Sequence, residues 1–225
     1  MIIVTGASKG LGKAICERLI DKKFDVLGLA RNVVDVQFES MNCDVSSYNS
    51  VKVVAQKLKN VCARVDALVN AAGIASMNLA VTTPSSVTQR IINTNLLGTI
   101  YCCQLFSPLM IRNKQGSIIN FSSVAVALGL KGEAIYAASK AGVEGFTRSF
   151  AREMADFNVN VNCIAPGPID TNLLKGITSE QISKIVSQQI IPKKFNPESV
   201  ADLVELLIDS RSNSLSGQVL HVGGA

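Results

Sequence analysis

The chain has 225 residues, a length that suits one domain with a large core and is short for two. Hydrophobic residues make up 48% and charged residues 17%, which excludes disorder as the general state, and no apolar stretch reaches the roughly 18 residues of a membrane span. The net charge of +5 comes from basic residues scattered along the chain, a distribution that argues against a nucleic-acid-binding surface.

Short β-branched runs alternate with longer helical patterns along the whole chain. The predicted strands are Ile2–Thr5, Asp25–Ala30, Ala67–Asn70, Ser117–Phe121, Asn158–Ile164 and Gln218–Val222. The predicted helices are Leu11–Lys22, Val51–Lys59, Ser86–Met110, Tyr136–Asp156 and Pro197–Ser210. Because strands separated by helical lengths require right-handed crossovers, this order predicts a doubly wound parallel sheet covered on both faces. No repeat or linker divides the chain, so we expect residues 1–225 to form a single α/β domain.

The first residues enter a strand directly, without the basic region of a signal peptide, and we therefore expect a soluble, cytoplasmic protein. The six cysteines show no CxxC spacing, which is consistent with reduced, structural thiols. The single histidine, His221, lies near the C-terminus. A zinc site and a Ser-His-Asp triad are both disfavoured by this composition, and we expect no metal.

A glycine-rich turn, Thr5–Gly12, joins the first predicted strand to the first helix. Glycines at this position allow the backbone to approach a pyrophosphate, and the helix N-terminus offers free N–H groups to it. The spacing differs from GxGxxG, because three residues separate the first two glycines. An ordinary glycine-rich turn is the alternative interpretation.

The second strand ends at Ala30, followed by Arg31, where an NAD-specific site would normally place an acidic residue. A guanidinium suits a 2′-phosphate, and Lys9 adds a second positive charge nearby. These residues favour NADP(H), although Arg31 could also be a solvated loop residue.

Tyr136 and Lys140 lie four residues apart on one face of a predicted helix. Ser122 and Ser123 end the preceding strand, so their hydroxyls face the crevice in which α/β sheets bind ligands. Together with the TGxxxGxG turn, the Asn70–Gly73 run, Asn95 and Pro166-Gly167, this set resembles the short-chain dehydrogenase/reductase family. The resemblance covers almost the whole chain and is closest to the 3-oxoacyl-[acyl-carrier-protein] reductases.

The resemblance implies a Rossmann fold and hydride transfer between NADP(H) and a carbonyl/alcohol pair. In that scheme Tyr136 is the general acid, and Lys140 together with the positive nicotinamide of the oxidised cofactor lowers the pKa of its phenol. Ser123 hydrogen-bonds the substrate oxygen, and Asn95 anchors a water that links Lys140 to solvent.

The resemblance also assigns residues to the cofactor. Asp44 is expected at the adenine, Asn70 and Gly73 along the cofactor, and Ile169 and Thr171 near the nicotinamide carboxamide. The complete expected set is Gly6, Ser8, Lys9, Gly10, Leu11, Gly12, Arg31, Asp44, Val45, Asn70, Ala71, Gly73, Tyr136, Lys140, Pro166, Gly167, Ile169 and Thr171. Read without the resemblance, Asn70 is a turn or capping residue and Pro166-Gly167 a turn.

One segment departs from the family. Only eleven residues, Asn32–Asn42, separate Arg31 from Cys43, where the family usually has a whole helix. We expect a turn or a short helix there, with an altered adenine pocket.

The substrate is less well defined by the sequence. The segment Asn172–Phe195 is expected to cover it as a lid, with Leu173, Leu174, Ile177, Ile182 and Ile185 on its apolar side. Such a lid suits an acyl chain and equally a steroid, a quinone or a keto-sugar. Lys114 and Lys175 are candidate contacts for an acidic acyl carrier protein, or simply surface lysines. A cofactor-binding homologue without catalysis is the competing function.

The helix that begins at Tyr136 carries a stripe of small residues, Ala138, Gly142, Gly145 and Ser149. Because glycine costs about 1 kcal/mol in a helix relative to alanine, this stripe suggests close contact with another helix. Family members commonly pair this helix across a two-fold axis, so we expect a homo-oligomer, a dimer or a tetramer. Alternatively, the glycines make room for a neighbouring helix of the same subunit.

Overall fold

A computed structural model describes residues 1–33, 36–61, 64–170 and 178–224. Within these residues seven strands form one sheet in the order β3-β2-β1-β4-β5-β6-β7, and every neighbouring pair is parallel. The strands are β1 (Ile2–Thr5), β2 (Val26–Ala30), β3 (Ser40–Asn42), β4 (Ala67–Asn70), β5 (Gly116–Phe121), β6 (Val159–Pro166) and β7 (Val219–Val222). The predicted doubly wound parallel sheet is confirmed.

Helices cover both faces of the sheet. They are α1 (Gly10–Asp21), α2 (Tyr48–Val61), α3 (Ser85–Ile92), α4 (Gly98–Ile111), α5 (Val124–Leu128), α6 (Ala134–Ala155), α7 (Ser179–Ser187) and α8 (Pro197–Ile208). The predicted helices and strands are present, with ends shifted by a few residues. Strand β3 and helices α5 and α7 were not predicted, and the two shortest of these contain too few residues to show a periodic pattern.

The predicted single helix Ser86–Met110 is interrupted in the structure. A π-helical turn, Asn93–Leu97, separates α3 from α4. Such turns bulge the backbone and are frequent at functional sites. Here the turn contains Asn95, which is fully buried.

Two hydrophobic clusters lie on opposite faces of the sheet. Leu27, Leu68 and Phe106 belong to the cluster under α2, α4 and α6, while Ile15 and Val204 belong to the one under α1 and α8. Because the strands are buried on both faces, their sequences are continuous apolar runs rich in β-branched residues.

The described part of the short crossover after β2 contains no helix, and an aromatic side chain packs on the sheet there instead. Residues 36–39 form bends that lead into the edge strand β3, and Phe38 packs over Gly28 of β2, where a Cβ would come within 2.5 Å of its ring. The ring thus covers part of the sheet that the missing helix leaves open. Of the described helices, none is both long and apolar enough to cross a membrane.

Candidate active site

A cleft of about 1180 Å³ opens at the carboxyl ends of the strands. This is the edge at which doubly wound sheets bind ligands. Seventeen predicted site residues line it: Gly6, Ser8, Lys9, Gly10, Leu11, Gly12, Arg31, Asp44, Val45, Ala71, Gly73, Ser123, Tyr136, Lys140, Pro166, Gly167 and Ile169. Asn70 and Asn95 do not line the cleft, and Thr171 lies outside the described residues.

The glycine-rich turn forms the floor of one end of the cleft. Gly6 has a φ of +72°, and a Cβ there would come within 2.8 Å of the Ala72 Cα, so a side chain would be both strained and obstructed. At Gly12 a Cβ would overlap the carbonyl group of Gly6, which explains how closely α1 approaches β1. The N-terminus of α1 then faces the cleft, and this cradle fits the pyrophosphate of a dinucleotide.

Positive charge lies at the same end of the cleft. Lys9 and Arg31 are both exposed, at the start of α1 and the end of β2 respectively. Asp44 is half-buried there, and its Oδ1 accepts hydrogen bonds from the Ser46 amide and hydroxyl at 3.0 and 2.7 Å. The positive charges present therefore fit the phosphate groups of a dinucleotide.

Tyr136 and Lys140 lie side by side on the first turns of α6. The Lys140 Nζ donates a 2.8 Å hydrogen bond to the carbonyl oxygen of Phe121, and it lies 5.9 Å from the centroid of the Tyr136 ring. Burial lowers the pKa of Lys140 to about 8. A carbonyl oxygen thus orients this ammonium beside the phenol.

Burial also dominates the pKa of Tyr136, which is raised to about 12. Its hydrogen bond with Ser123 lowers that pKa, and the charge of Glu133 raises it further. Desolvation of the phenolate is thus the largest effect on this pKa in the protein alone, and the lowering expected from Lys140 together with the oxidised nicotinamide stays a prediction. The phenol is protonated at neutral pH and is ready to act as an acid.

Ser123 contributes its hydroxyl from the end of β5. It is the N-cap of α5, and its Oγ accepts a 3.2 Å hydrogen bond from the Ala125 amide. Ser122 points the other way, because its buried Oγ donates to the Glu144 carboxylate at 2.7 Å. Adjacent residues of a strand face opposite sides, and Ser123 is the one beside Tyr136.

Asn95 connects the π-helical turn to α6 and to the loop after β4. It accepts from the Ile74 amide and donates to the Ile74 carbonyl, both at 2.9 Å, and donates to the Ser139 hydroxyl at 3.0 Å. Gly73, the residue before Ile74, lies next to both Asn95 and Lys140. In the structure the Asn95 side chain thus positions the backbone around the lysine.

Asn70 is a correction to the sequence analysis. Its amide donates to Asn120 Oδ1 at 2.9 Å and to Cys103 Sγ at 3.3 Å, inside the core. Its own Oδ1 is buried without a hydrogen-bond partner among the described residues. Residue 70 ends a central strand, and the burial of that side chain between β5 and α4 turns it away from the cleft.

The expected lid is described only in part, since residues 171–177 lie outside the described residues and include Leu173, Leu174, Lys175 and Ile177. Helix α7 begins at a capping box formed by Thr178 and Gln181. Ile185 of α7 is buried and lines the cleft, whereas Ile182 is half-buried.

Lys114 is a second correction. It lies immediately before β5, and its carbonyl accepts a hydrogen bond from Asn158, just before β6. The amino ends of parallel strands share one edge of the sheet, opposite the cleft. Lys114 therefore does not flank the substrate entrance.

The sequence analysis overlooked several residues of the wall around Tyr136, among them Leu130, Glu133 and Thr94. Glu133 is the N-cap residue of α6, three residues before Tyr136, and its charge raises the pKa of the tyrosine. This position close to Tyr136 in the sequence could have identified Glu133 as a residue of the cleft wall.

Comparisons with known proteins agree with this arrangement. The short chain dehydrogenase family matches residues 1–182. The chain is 36% identical over 231 residues to a 3-oxoacyl-[acyl-carrier-protein] reductase of Vibrio cholerae, covering 99% of this chain and 95% of that protein. Its fold is similar to the Thermoplasma acidophilum aldohexose dehydrogenase, with a TM-score of 0.90 and 31% identity over 99% of this chain and 92% of that one. It is also similar to ElxO with NADP bound, with a TM-score of 0.89 and 28% identity over 98% and 96% of the two chains.

Proposed function

The chain belongs to the short chain dehydrogenase family, and we propose that it is an NADPH-dependent reductase that converts a small-molecule carbonyl group to a secondary alcohol. The observation that carries this proposal is the grouping of Ser123, Tyr136 and Lys140 in one cleft with the glycine-rich turn. A binding protein without catalysis would not require a buried phenol and ammonium side by side.

The residues of the chain divide the work as follows. The reduced nicotinamide, when bound, supplies the hydride. Ser123 donates a hydrogen bond to the substrate oxygen, and Tyr136 gives its phenolic proton to the alkoxide that develops there. The Lys140 ammonium, oriented by Phe121, stabilises the phenolate that remains. General acid catalysis of this kind contributes about 10²–10⁴-fold.

We propose NADPH rather than NADH as the reductant. Arg31 and Lys9 place two positive charges at the end of the cleft where the adenosine is expected, and no acidic residue follows β2 directly. The similarity to ElxO with NADP bound supports this choice.

Two substrate classes remain candidates. Similarity to the Vibrio cholerae enzyme supports a 3-oxoacyl thioester, with acyl carrier protein as the partner. Similarity to the aldohexose dehydrogenase supports a polyhydroxylated compound. Leu130, Val124 and Ile185 supply an apolar wall that accommodates the carbon skeleton of either.

The proposal is tested by NADPH consumption with a panel of acetoacetyl thioesters, simple β-ketoesters, hydroxyketones and keto-sugars. We expect turnover with at least one member by the native protein and none by Tyr136→Phe. Tight NADPH binding without turnover of any carbonyl compound would instead support the non-catalytic alternative.

We further propose a homo-oligomer in the cytoplasm. Ala138, Gly145 and Ser149 of α6 are exposed and together leave a smooth helix face, which supports helix pairing. Gly142 is explained by packing within the subunit, since a Cβ there would come within 2.9 Å of the Leu96 side chain of the same chain.

A further inference from the structure

Glu133 is a buried carboxylate in the wall of the cleft. Only 8% of the residue is exposed, and its side chain faces the same cavity as Ser123 and Tyr136. It stands at the N-cap position of α6 without capping the helix. Across the described residues, no hydrogen bond or ion pair to its carboxylate is found.

A second buried glutamate, Glu144, differs from Glu133 because its carboxylate has partners within the protein. Glu144 has the same exposure of 8%, yet it accepts a 2.7 Å hydrogen bond from Ser122 and lies 3.6 Å from the Arg148 guanidinium. Burying a carboxylate without such partners is unfavourable, and burial accordingly raises the pKa of Glu133. No hydrogen-bond or ion-pair partner for Glu133 is found among residues 1–33, 36–61, 64–170 and 178–224.

The residues around Glu133 indicate what kind of group could bind its carboxylate. The Lys140 ammonium donates to the Phe121 carbonyl and forms no ion pair with Glu133, Lys131 is exposed to solvent, and Leu130 and Ile185 of the wall are apolar. An ionised carboxylate only accepts hydrogen bonds, so its partner has to be a donor. A substrate that enters the cleft can supply that donor.

Building on the proposed carbonyl reduction, we propose that Glu133 is a specificity-determining residue that accepts a hydrogen bond from a substrate hydroxyl next to the reacting carbonyl group. Glu133 is the N-cap of α6, three residues before Tyr136, and both residues line the same cleft. The carboxylate is therefore placed to meet the atoms beside the carbonyl oxygen held by the phenol. The substrate class is then the hydroxyketones. A 3-oxoacyl thioester presents a second carbonyl oxygen nearby, which the carboxylate repels.

The test compares acetoin with 2,3-butanedione, two four-carbon ketones in which a hydroxyl and a second carbonyl exchange places. The kcat/KM ratio of acetoin to 2,3-butanedione is measured for the native protein and for Glu133→Gln. The variant keeps the shape but donates as well as accepts, so the ratio is expected to fall at least tenfold. Taking the ratio between variants cancels the different intrinsic reactivities of the two ketones.

Glu153→Gln is the matched control, because Glu153 is an exposed residue of the same helix. This variant should keep the native ratio. Glu133→Met, which removes the charge and both hydrogen-bonding roles, should also lose the preference for acetoin and shows that the effect does not depend on the new amide.

The outcomes separate this inference from the proposed function. An unchanged ratio in Glu133→Gln, or reduction of 2,3-butanedione or ethyl acetoacetate without any reduction of acetoin, would overturn the role of Glu133 and leave the carbonyl reductase in place. Absence of NADPH-dependent turnover of all three compounds by the native protein would overturn the proposed function and this inference with it.

Discussion

The Lys140 ammonium donates a 2.8 Å hydrogen bond to the carbonyl oxygen of Phe121, the last residue of β5. This bond fastens the start of α6 to the end of a central strand, two residues before Ser123. The acid, the ammonium and the serine hydroxyl are thereby held by the rigid sheet edge rather than by a loop.

Tyr136→Phe should leave the fold and NADPH binding intact while reducing turnover at least a hundredfold, since general acid catalysis is worth about 10²–10⁴-fold. The phenol is buried and protonated, so its removal takes away the proton donor and little packing. Steady-state kinetics and NADPH titration by fluorescence give the two readouts. Turnover above a tenth of the native rate would show that another group is the acid.

Ser123→Ala and Ser122→Ala should affect different properties. Ser123 faces Tyr136, so its loss should greatly reduce turnover with little change in stability. Ser122 donates to the buried Glu144, so its loss should lower the free energy of unfolding by about 1–3 kcal/mol and leave turnover per folded molecule near normal. Urea unfolding and kinetics on both variants decide the matter. The reverse pattern would mean that Ser122 is the catalytic serine.

Arg31→Asp should change the cofactor preference toward NADH. A hydrogen bond to a charged group is worth roughly 1.5–3 kcal/mol, or about ten- to a hundredfold in affinity, and the new carboxylate repels a 2′-phosphate. Dissociation constants for NADPH and NADH give the ratio, with Arg90→Asp as the control because Arg90 is exposed and does not line the cleft. Equal affinity of the native protein for the two cofactors would contradict this prediction.

Because of the lowered pKa of Lys140, the free energy of unfolding should increase as the pH rises above 8. Burial lowers its pKa to about 8 from 10.5, so between these values the unfolded chain binds a proton that the native state lacks. The free energy of unfolding then rises with pH by up to about 1.4 kcal/mol per pH unit. Urea unfolding at pH 7.5 and about pH 9.5 should show this gain for the native protein relative to Lys140→Met. Parallel pH profiles of the two proteins would argue against a lowered pKa.

Gly145→Leu should weaken assembly without unfolding the subunit. A Cβ at Gly145 meets no atom of the same chain within 4 Å, so the leucine is tolerated in the monomer and obstructs a partner helix. Gly142→Leu should instead destabilise the subunit, because its side chain would collide with Leu96. Sedimentation velocity at micromolar concentration measures the assembly. A native protein that sediments as a monomer would refute the proposed oligomer.

Sequence reasoning recovered the features that depend on short stretches of chain. The alternation of strands and helices, the glycine-rich turn and the Tyr136–Lys140 pair are encoded in local periodicity or in a fixed spacing on one helix, and local geometry carries such signals directly. The short crossover after Arg31 could also be predicted, because the eleven residues between Arg31 and Cys43 leave little room for a helix.

The remaining features depend on which distant groups meet a side chain. Asn70 is the last residue of a strand, but only its packing against Asn120 and Cys103 turns its side chain into the core. The pKa of Tyr136 is raised rather than lowered because many remote residues exclude water from its ring, a desolvation that no spacing records. Glu133 carries no signal in the sequence that was recognised, and the fold places it in the wall of the cleft with no hydrogen-bond partner among the described residues.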